Sequence, residues 1–323
     1  MPIAGKDTME RTTLRAAAAA TLLLALAGCD LRYALLGFPQ PSVTVSAALP
    51  LELAYREARG GLVVLTGRVD GRADVDFILD TGAPVSVLID GSRTAGLGLD
   101  TRDARPLGDP DHPATPIGVI RGGFAFDFGG VALTGLTAVV VPQAAMPCRE
   151  RFEEIGFGGV IGADLFRRFV VEIDTAARRV RLHDPAQWRA PAQASPVPIA
   201  FRGGHPFVEA TVTLADGREV ATRMNVDTGM NRELTVTTGG HPALAMPADG
   251  KPRKSCLVNG TREERDGPPV SVTLGTATAR AERPVYSAEP NAADGGRHST
   301  IGVGLFKGRR LVIDYPGSRL FIL

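Results

Sequence analysis

Two carboxylates in matched settings, Asp80 and Asp227, are where this sequence could do chemistry. Asp80 lies in Phe77-Ile78-Leu79-Asp80-Thr81-Gly82-Ala83, and Asp227 lies 147 positions later in Val226-Asp227-Thr228-Gly229-Met230. Each follows an apolar run that reads as a buried strand and enters a glycine-containing turn. One such turn is ordinary, because Asp and Gly are good turn residues. Two, in equivalent places of a repeat, make a candidate catalytic pair. Carboxylates held about 3 Å apart cannot both ionise, so they share one proton and can serve as base and acid together.

The elements that must position them repeat as well. The first half has an apolar run Leu62 to Val69, then Asp70-Gly71, then Val75 to Leu79. The second has Phe207 to Leu214, then Asp216-Gly217, then Val220 to Val226. Asp-Gly between apolar runs predicts a hairpin turn with positive φ at both central positions. Downstream, Ile161-Gly162-Ala163-Asp164-Leu165-Phe166 matches Ile301-Gly302-Val303-Gly304-Leu305-Phe306 at an offset of 140, which also maps Ile173-Asp174 onto Ile313-Asp314 and Arg179 onto Arg319. Each copy reads as a buried strand, a glycine, a short helical turn with Leu-Phe inward, then a strand and hairpin. A repeat of this kind can also be purely structural.

Strands outnumber helices throughout, so the expected class is all-β with closed or partly closed barrels. The expected division is residues 49–190 for lobe one, 191–196 for a Pro/Ala-rich joint and 197–323 for lobe two. Two long Gly/Pro-rich stretches, 104–123 and 239–262, read either as mobile covers or as plain surface loops.

The pattern apolar-apolar-Asp-Thr-Gly followed by an apolar-apolar-Gly segment resembles the pepsin/retropepsin group of aspartic proteases. The first copy, Ile78 through Leu88 with Gly159 through Phe166, is similar to bacterial retropepsin-like sequences. The resemblance implies two homologous retropepsin/pepsin-like β-barrel lobes related by a pseudo-two-fold axis, with the active cleft between them. It implies an aspartic endopeptidase in which a water, activated by Asp80 and Asp227, attacks the peptide bond of a peptide or protein substrate. By the same resemblance Thr81 and Thr228 cross-brace the two turns, while Gly82, Ala83, Gly229 and Met230 support the catalytic loops. Gly162 and Gly302 are then architectural, packed under those loops. Met230 departs from the family's small residue, the following Asn231-Arg232-Glu233 is polar, and Asn225 interrupts the apolar strand. The alternative is a non-catalytic lipoprotein that keeps the cleft as a peptide-binding or scaffold module.

The N-terminus reads as targeting sequence. Arg11 and Arg15 precede the apolar run Ala16 to Leu26, which is too short to span a bilayer. Leu26-Ala27-Gly28-Cys29 resembles the lipobox of bacterial lipoproteins, implying a signal peptide over residues 1–28 and lipid attachment at Cys29. Residues 29–48, with Pro39 and Pro41, read as a tether. The implied location is the periplasm-facing side of the cell envelope, with the membrane as partner through the lipid anchor. Cys148 and Cys256 then remain, either as a disulfide between lobes or as two free thiols.

The other readings are exclusions. A net charge of +1 with acids and bases mixed excludes a nucleic-acid footprint. The five histidines lack metal-ligand spacing, so no metal and no cofactor is expected. Ser86 and Ser299 lack a His-Asp context for a serine hydrolase. Both aspartates lie in one chain, which is expected to act as a monomer.

Overall fold

The computed structural model describes residues 41–99, 118–146, 148–257, 260–289 and 296–323, with only the backbone described at 118–122, 145, 257 and 260. Cys29, the signal segment and residues 104–117 of the first candidate cover lie outside the described residues.

In the first half, Leu62–Val69 is buried at its first four positions and alternates thereafter. It pairs with Ala73–Leu79, whose last three residues are all buried. A strand buried on both faces at the end that delivers Asp80 must itself be flanked by strands. Ala73–Leu79 runs parallel to Gly159–Ile161, which pairs antiparallel with Val87–Asp90, which runs parallel to Val131–Pro142. Gly118–Asp127 pairs with both Val131–Pro142 and Leu62–Val69, so six strands close into a barrel. Phe77 and Phe126 meet inside it with ring centroids 4.8 Å apart. Each such side chain contributes about 1.5–3 kcal/mol by burial. The expected hairpin turn is present: Asp70 and Gly71 have φ of 50° and 65°.

The second half repeats the strands around its aspartate. His205–Thr213 pairs with Glu219–Val226, which runs parallel to Ser299–Ile301. Ser299–Ile301 pairs antiparallel with Leu234–Thr237, which runs parallel to Val285–Ser287. Beyond these strands the two halves diverge. Gly267-Pro268-Pro269 separates Gly260–Asp266 from Val270–Leu274, and Pro284 lies between Ala277–Ala281 and Val285–Ser287. Proline cannot donate to a ladder, so long strands break there. Among the described residues the result is an open sheet of ten strands, with Pro252–Leu257 and Ala277–Ala281 at its edges. The second hairpin also differs from expectation. Only Gly217 has positive φ, at 83°, in a loop closed by Gly217 N–H to the Leu214 carbonyl at 2.9 Å. The extra residue turns a two-position primed turn into an ordinary turn followed by a left-handed glycine.

A third sheet joins the halves. Its six strands are antiparallel: Val197–Pro198, Arg319–Ile322, Arg310–Asp314, Val170–Asp174, Arg179–His183 and Leu51–Ala54. At the joint Val171 faces Ile313 and Ile173 faces Leu311, on either side of the pair Glu172 and Val312. The 140-residue offset maps this arrangement onto itself, as a pseudo-two-fold axis through that pair requires. Glu172 is buried there and accepts from Arg181 at 2.8 Å, with His183 at 3.1 Å. Hydrogen bonding to His183, then to Arg181, holds its carboxyl below the usual value despite burial.

One boundary moves. Ser42–Val45, placed in the tether by sequence, pairs antiparallel with Val131–Thr134 as an edge strand. Its side chains are mostly exposed, and its Ser-Val-Thr-Val alternation is too short to have marked a strand next to the prolines. The 191–196 joint is mostly exposed but touches the core through Ala194, which with the preceding Ala190 rests on Val170, Val312 and Phe321.

Candidate active site

Each aspartate leaves its strand by the same route. Asp80 N–H donates to the Ile161 carbonyl and Asp227 N–H to the Ile301 carbonyl, both at 2.9 Å. The chain then turns back, and the Gly82 and Gly229 N–H groups donate to Oδ1 of Asp80 and Asp227 at 2.6 and 2.9 Å. Both turns are therefore built to hold a carboxylate.

The turns meet through their threonines, which are almost wholly buried. Thr81 N–H donates to Thr228 Oγ1 at 2.9 Å, and Thr228 N–H donates to Thr81 Oγ1 at 3.0 Å. Each hydroxyl in turn donates to the opposite strand, Thr81 to the Val226 carbonyl at 2.6 Å and Thr228 to the Leu79 carbonyl at 2.7 Å. Four buried bonds thus fix one loop against the other. Breaking one would leave a buried donor or acceptor unsatisfied, at about 1–3 kcal/mol each.

This brace brings the carboxyls together. They form a side-chain hydrogen bond with each other. A Cβ on Gly82 would stand 2.7 Å from Cγ of Asp227, and one on Gly229 would collide with the carboxyl of Asp80. Each carboxyl lies against the other half's glycine, which is why only glycine fits. Both aspartates keep some accessible surface while surrounded by dense protein, as at the floor of a cleft. Burial pushes both carboxyls up. Asp227 goes well above the carboxylate range, with the charge of Asp80 adding to the effect. Asp80 rises less, since its hydrogen bonds to Asp227 and to the N–H groups of Gly82, Gly229 and Ala83 favour its charged form.

The supporting glycines sit under the loops. A Cβ at Gly162 would lie 2.5 Å from the Ala83 carbonyl oxygen, and one at Gly302 would strike that of Arg232. Met230 does not stand over the carboxyls by any described contact. Its sulfur accepts from Thr235 Oγ1 at 3.5 Å, and a Cβ at Gly302 would meet its terminal methyl at 3.2 Å. What Met230 supplies to Asp227 is its backbone N–H.

Sequence reasoning missed three contributors. Tyr315, in the joining sheet's hairpin, donates to the Thr81 carbonyl at 3.4 Å. The buried set Arg232, Glu264 and Ser255 ties the loop past Asp227 to the hairpin Pro252–Leu257 and Gly260–Asp266. Arg232 donates to Glu264 at 2.5 Å and to Ser255 at 2.7 Å, and Ser255 donates to Glu264. The doublets in Arg59-Gly60-Gly61 and Arg202-Gly203-Gly204, 143 positions apart, extend the repeat and could have been found. All four glycines have positive φ. Gly60 lies against Asn231, and Gly204 against Pro84.

The second candidate cover is partly this hairpin, and it is anchored. Cys256 in its first strand is bonded to Cys148, which caps helix α1 (Arg149–Ile155) of the first half, with S–S 2.09 Å. No group of three or more metal-ligating side chains occurs among the described residues, and no described helix is long and apolar enough to cross a membrane.

The family model for aspartyl protease matches residues 65–165, which span Asp80, its strand, and the segment Gly159 to Leu165. A search of curated proteins finds no match to the chain.

Proposed function

We propose that the chain is an aspartic endopeptidase of the bacterial cell envelope, with Asp80 and Asp227 as its dyad. The observation that carries this is the pair of raised, hydrogen-bonded carboxyls held together by the Thr81/Thr228 brace. The family match over residues 65–165 supports a protease in general terms. The second half supplies the other carboxylate from the same chain, so one chain suffices for the site.

The dyad carries one proton, and its titration belongs to the pair. The ionised carboxyl takes a proton from a water while the protonated one donates to the scissile carbonyl oxygen. The water oxygen bonds the carbonyl carbon and gives a tetrahedral species without any covalent enzyme intermediate. The C–N bond then breaks as the dyad's proton passes to the nitrogen and one hydroxyl of the tetrahedral species returns a proton to the dyad, leaving a carboxyl, an amine and the dyad with its single proton. Thr81 and Thr228 act by positioning.

The envelope part of the proposal rests on the lipobox at Cys29 and on the Cys148–Cys256 bond, which suits an oxidising compartment. Its measurement is fractionation: Cys29→Ser should leave the membrane fraction. The test of activity is cleavage of a peptide library from acid to neutral pH. Wild type should cleave, and Asp80→Asn and Asp227→Asn should each lose at least about 10²–10⁴ in rate. Equal turnover in all three proteins would remove the assignment and leave a binding module.

A further inference from the structure

A cavity of about 570 Å³ lies between the halves, beginning with the chain just past the Asp227 loop; neither aspartate lines it. Its walls include Arg59-Gly60-Gly61 from the first half, Asn231-Arg232-Glu233 from the second, and the edge strand around Lys254. The charge on these walls is one-sided. Arg59, Arg151, Lys254, Arg283 and Lys307 all line the cavity, and none of these side chains forms an ion pair among the described residues, although the Arg283 backbone N–H donates to Glu233 at 3.0 Å. Three further arginines on the walls are already neutralised, by Asp76, Glu264 and Asp266. Of the wall carboxylates, Glu57 is paired with Arg178, which leaves Glu154 and Glu233 against five cations.

Two features favour a peptide as the occupant. The wall residues Asn231 to Glu233 continue the loop that carries Asp227, which puts the cavity beside the candidate site. The strand Pro252–Leu257 is a sheet edge among the described residues, where an extended peptide could add beside Arg151, which already donates to the Lys254 carbonyl at 3.3 Å. The equivalent place at the other end differs: Gly204 there packs on Pro84, and the chain continues as Val85-Ser86. Cations also stand at that other end, where Arg202 and Arg167 hold the repeat positions of Arg59 and Lys307.

We propose that this cavity is a charge-selective subsite that takes acidic side chains of the substrate at positions remote from the scissile bond. The proposal rests on the peptidase reading above. No covalent step is involved; the cations desolvate little and attract carboxylates across a screened, water-accessible space.

The experiment has two arms. In the first, a library scanning Glu against Gln at each position around the cleaved bond is read as kcat/KM. Glu should be preferred by about tenfold at one or two remote positions, chiefly through KM, with the preference fading in high salt. In the second, labelled Glu and Gln peptides are titrated onto the Asp227→Asn protein, which reads binding whether or not the wild type cleaves. The Glu peptide should bind about tenfold more tightly. The double variant Lys254→Glu/Lys307→Glu, changing two exposed side chains, should erase or invert both preferences. Arg218→Glu, on an exposed turn outside the cavity, should leave them intact. Cleavage with equal kcat/KM for Glu and Gln peptides overturns the subsite and spares the peptidase. Absence of any cleavage, with the binding preference retained, overturns the peptidase and spares the site. Equal binding of the two peptides, or competition by inorganic phosphate without peptide preference, overturns the subsite in either case.

Discussion

The chain past Asp80 and the chain past Asp227 start from the same turn and then differ in what holds them. After Asp80 come Pro84, Val85 and Ser86, inside a barrel that closes on itself. After Asp227 come Asn231, Arg232 and Glu233, beside a sheet that stays open where Pro284 and Pro268-Pro269 interrupt its strands. The first half ties that stretch locally, with the Ser86 N–H donating to buried Asp164 at 2.7 Å and the Gly162 N–H donating to Ser86 Oγ at 3.3 Å. The second holds its outer hairpin by a buried ion pair on one side and a disulfide on the other. Matching aspartate turns therefore do not require identical scaffolds. They require that each half fix its loop by some means, and the means shape the surface next to the site.

The comparison can be broken where the second half depends on special contacts. Removing one partner of the Arg232–Glu264 pair should have the largest effect, because Glu264 is almost wholly buried and would keep an uncompensated charge. Arg232→Ala should lose about 3–5 kcal/mol in denaturant unfolding. Ser86→Ala, at a comparable distance past Asp80, should cost less, because it removes only the acceptor of the Gly162 N–H.

Next is the disulfide. Cys148 and Cys256 are 108 positions apart, a long loop to leave unclosed in the unfolded chain. Cys148→Ser with Cys256→Ser should lower stability by about 2–4 kcal/mol, read by denaturant midpoint.

The dyad gives a pH dependence that links both halves. Its carboxyls are raised in the folded state, so their contribution is full below the unfolded value, about 4, and is lost as pH rises through the folded value. Asp227→Asn removes that liability. The variant should melt above wild type at neutral pH, with the difference vanishing in acid. A constant difference across the range would contradict the raised carboxyls.

The smallest effect sharpens the contrast. Asn225 is buried, and its Oδ1 has no partner among the described residues, whereas the repeat places Ile78 at the equivalent strand position. Asn225→Val should stabilise the second half by about 1 kcal/mol in the same unfolding assay, by replacing an unpaired polar group with an apolar one.

Much of this was legible in the residues. The apolar run Leu62 to Val69 is a strand over that same range. The 140-residue offset predicted strand, glycine, short helical turn and hairpin in both halves, and Ala163–Phe166 and Val303–Phe306 are those turns. What escaped reading depends on distance in the chain. Arg232 and Glu264 are 32 positions apart, and no local period relates them. Ser42–Val45 pairs at the barrel's edge with little burial, and its Ser-Val-Thr-Val alternation is a period-two signal too short to stand out beside Pro39 and Pro41. The openness of the second sheet was written in its prolines, but their effect shows only once the strand each one interrupts is known.

The bond between Cys148 and Cys256 also keeps a record of assembly. Its sulfurs come from opposite halves, one from the cap of a helix and the other from an edge strand, so docking of the halves sets them side by side and the closed bond then keeps them from parting. Electrophoresis without reductant would sort a preparation into chains that carry this clasp and chains that lack it.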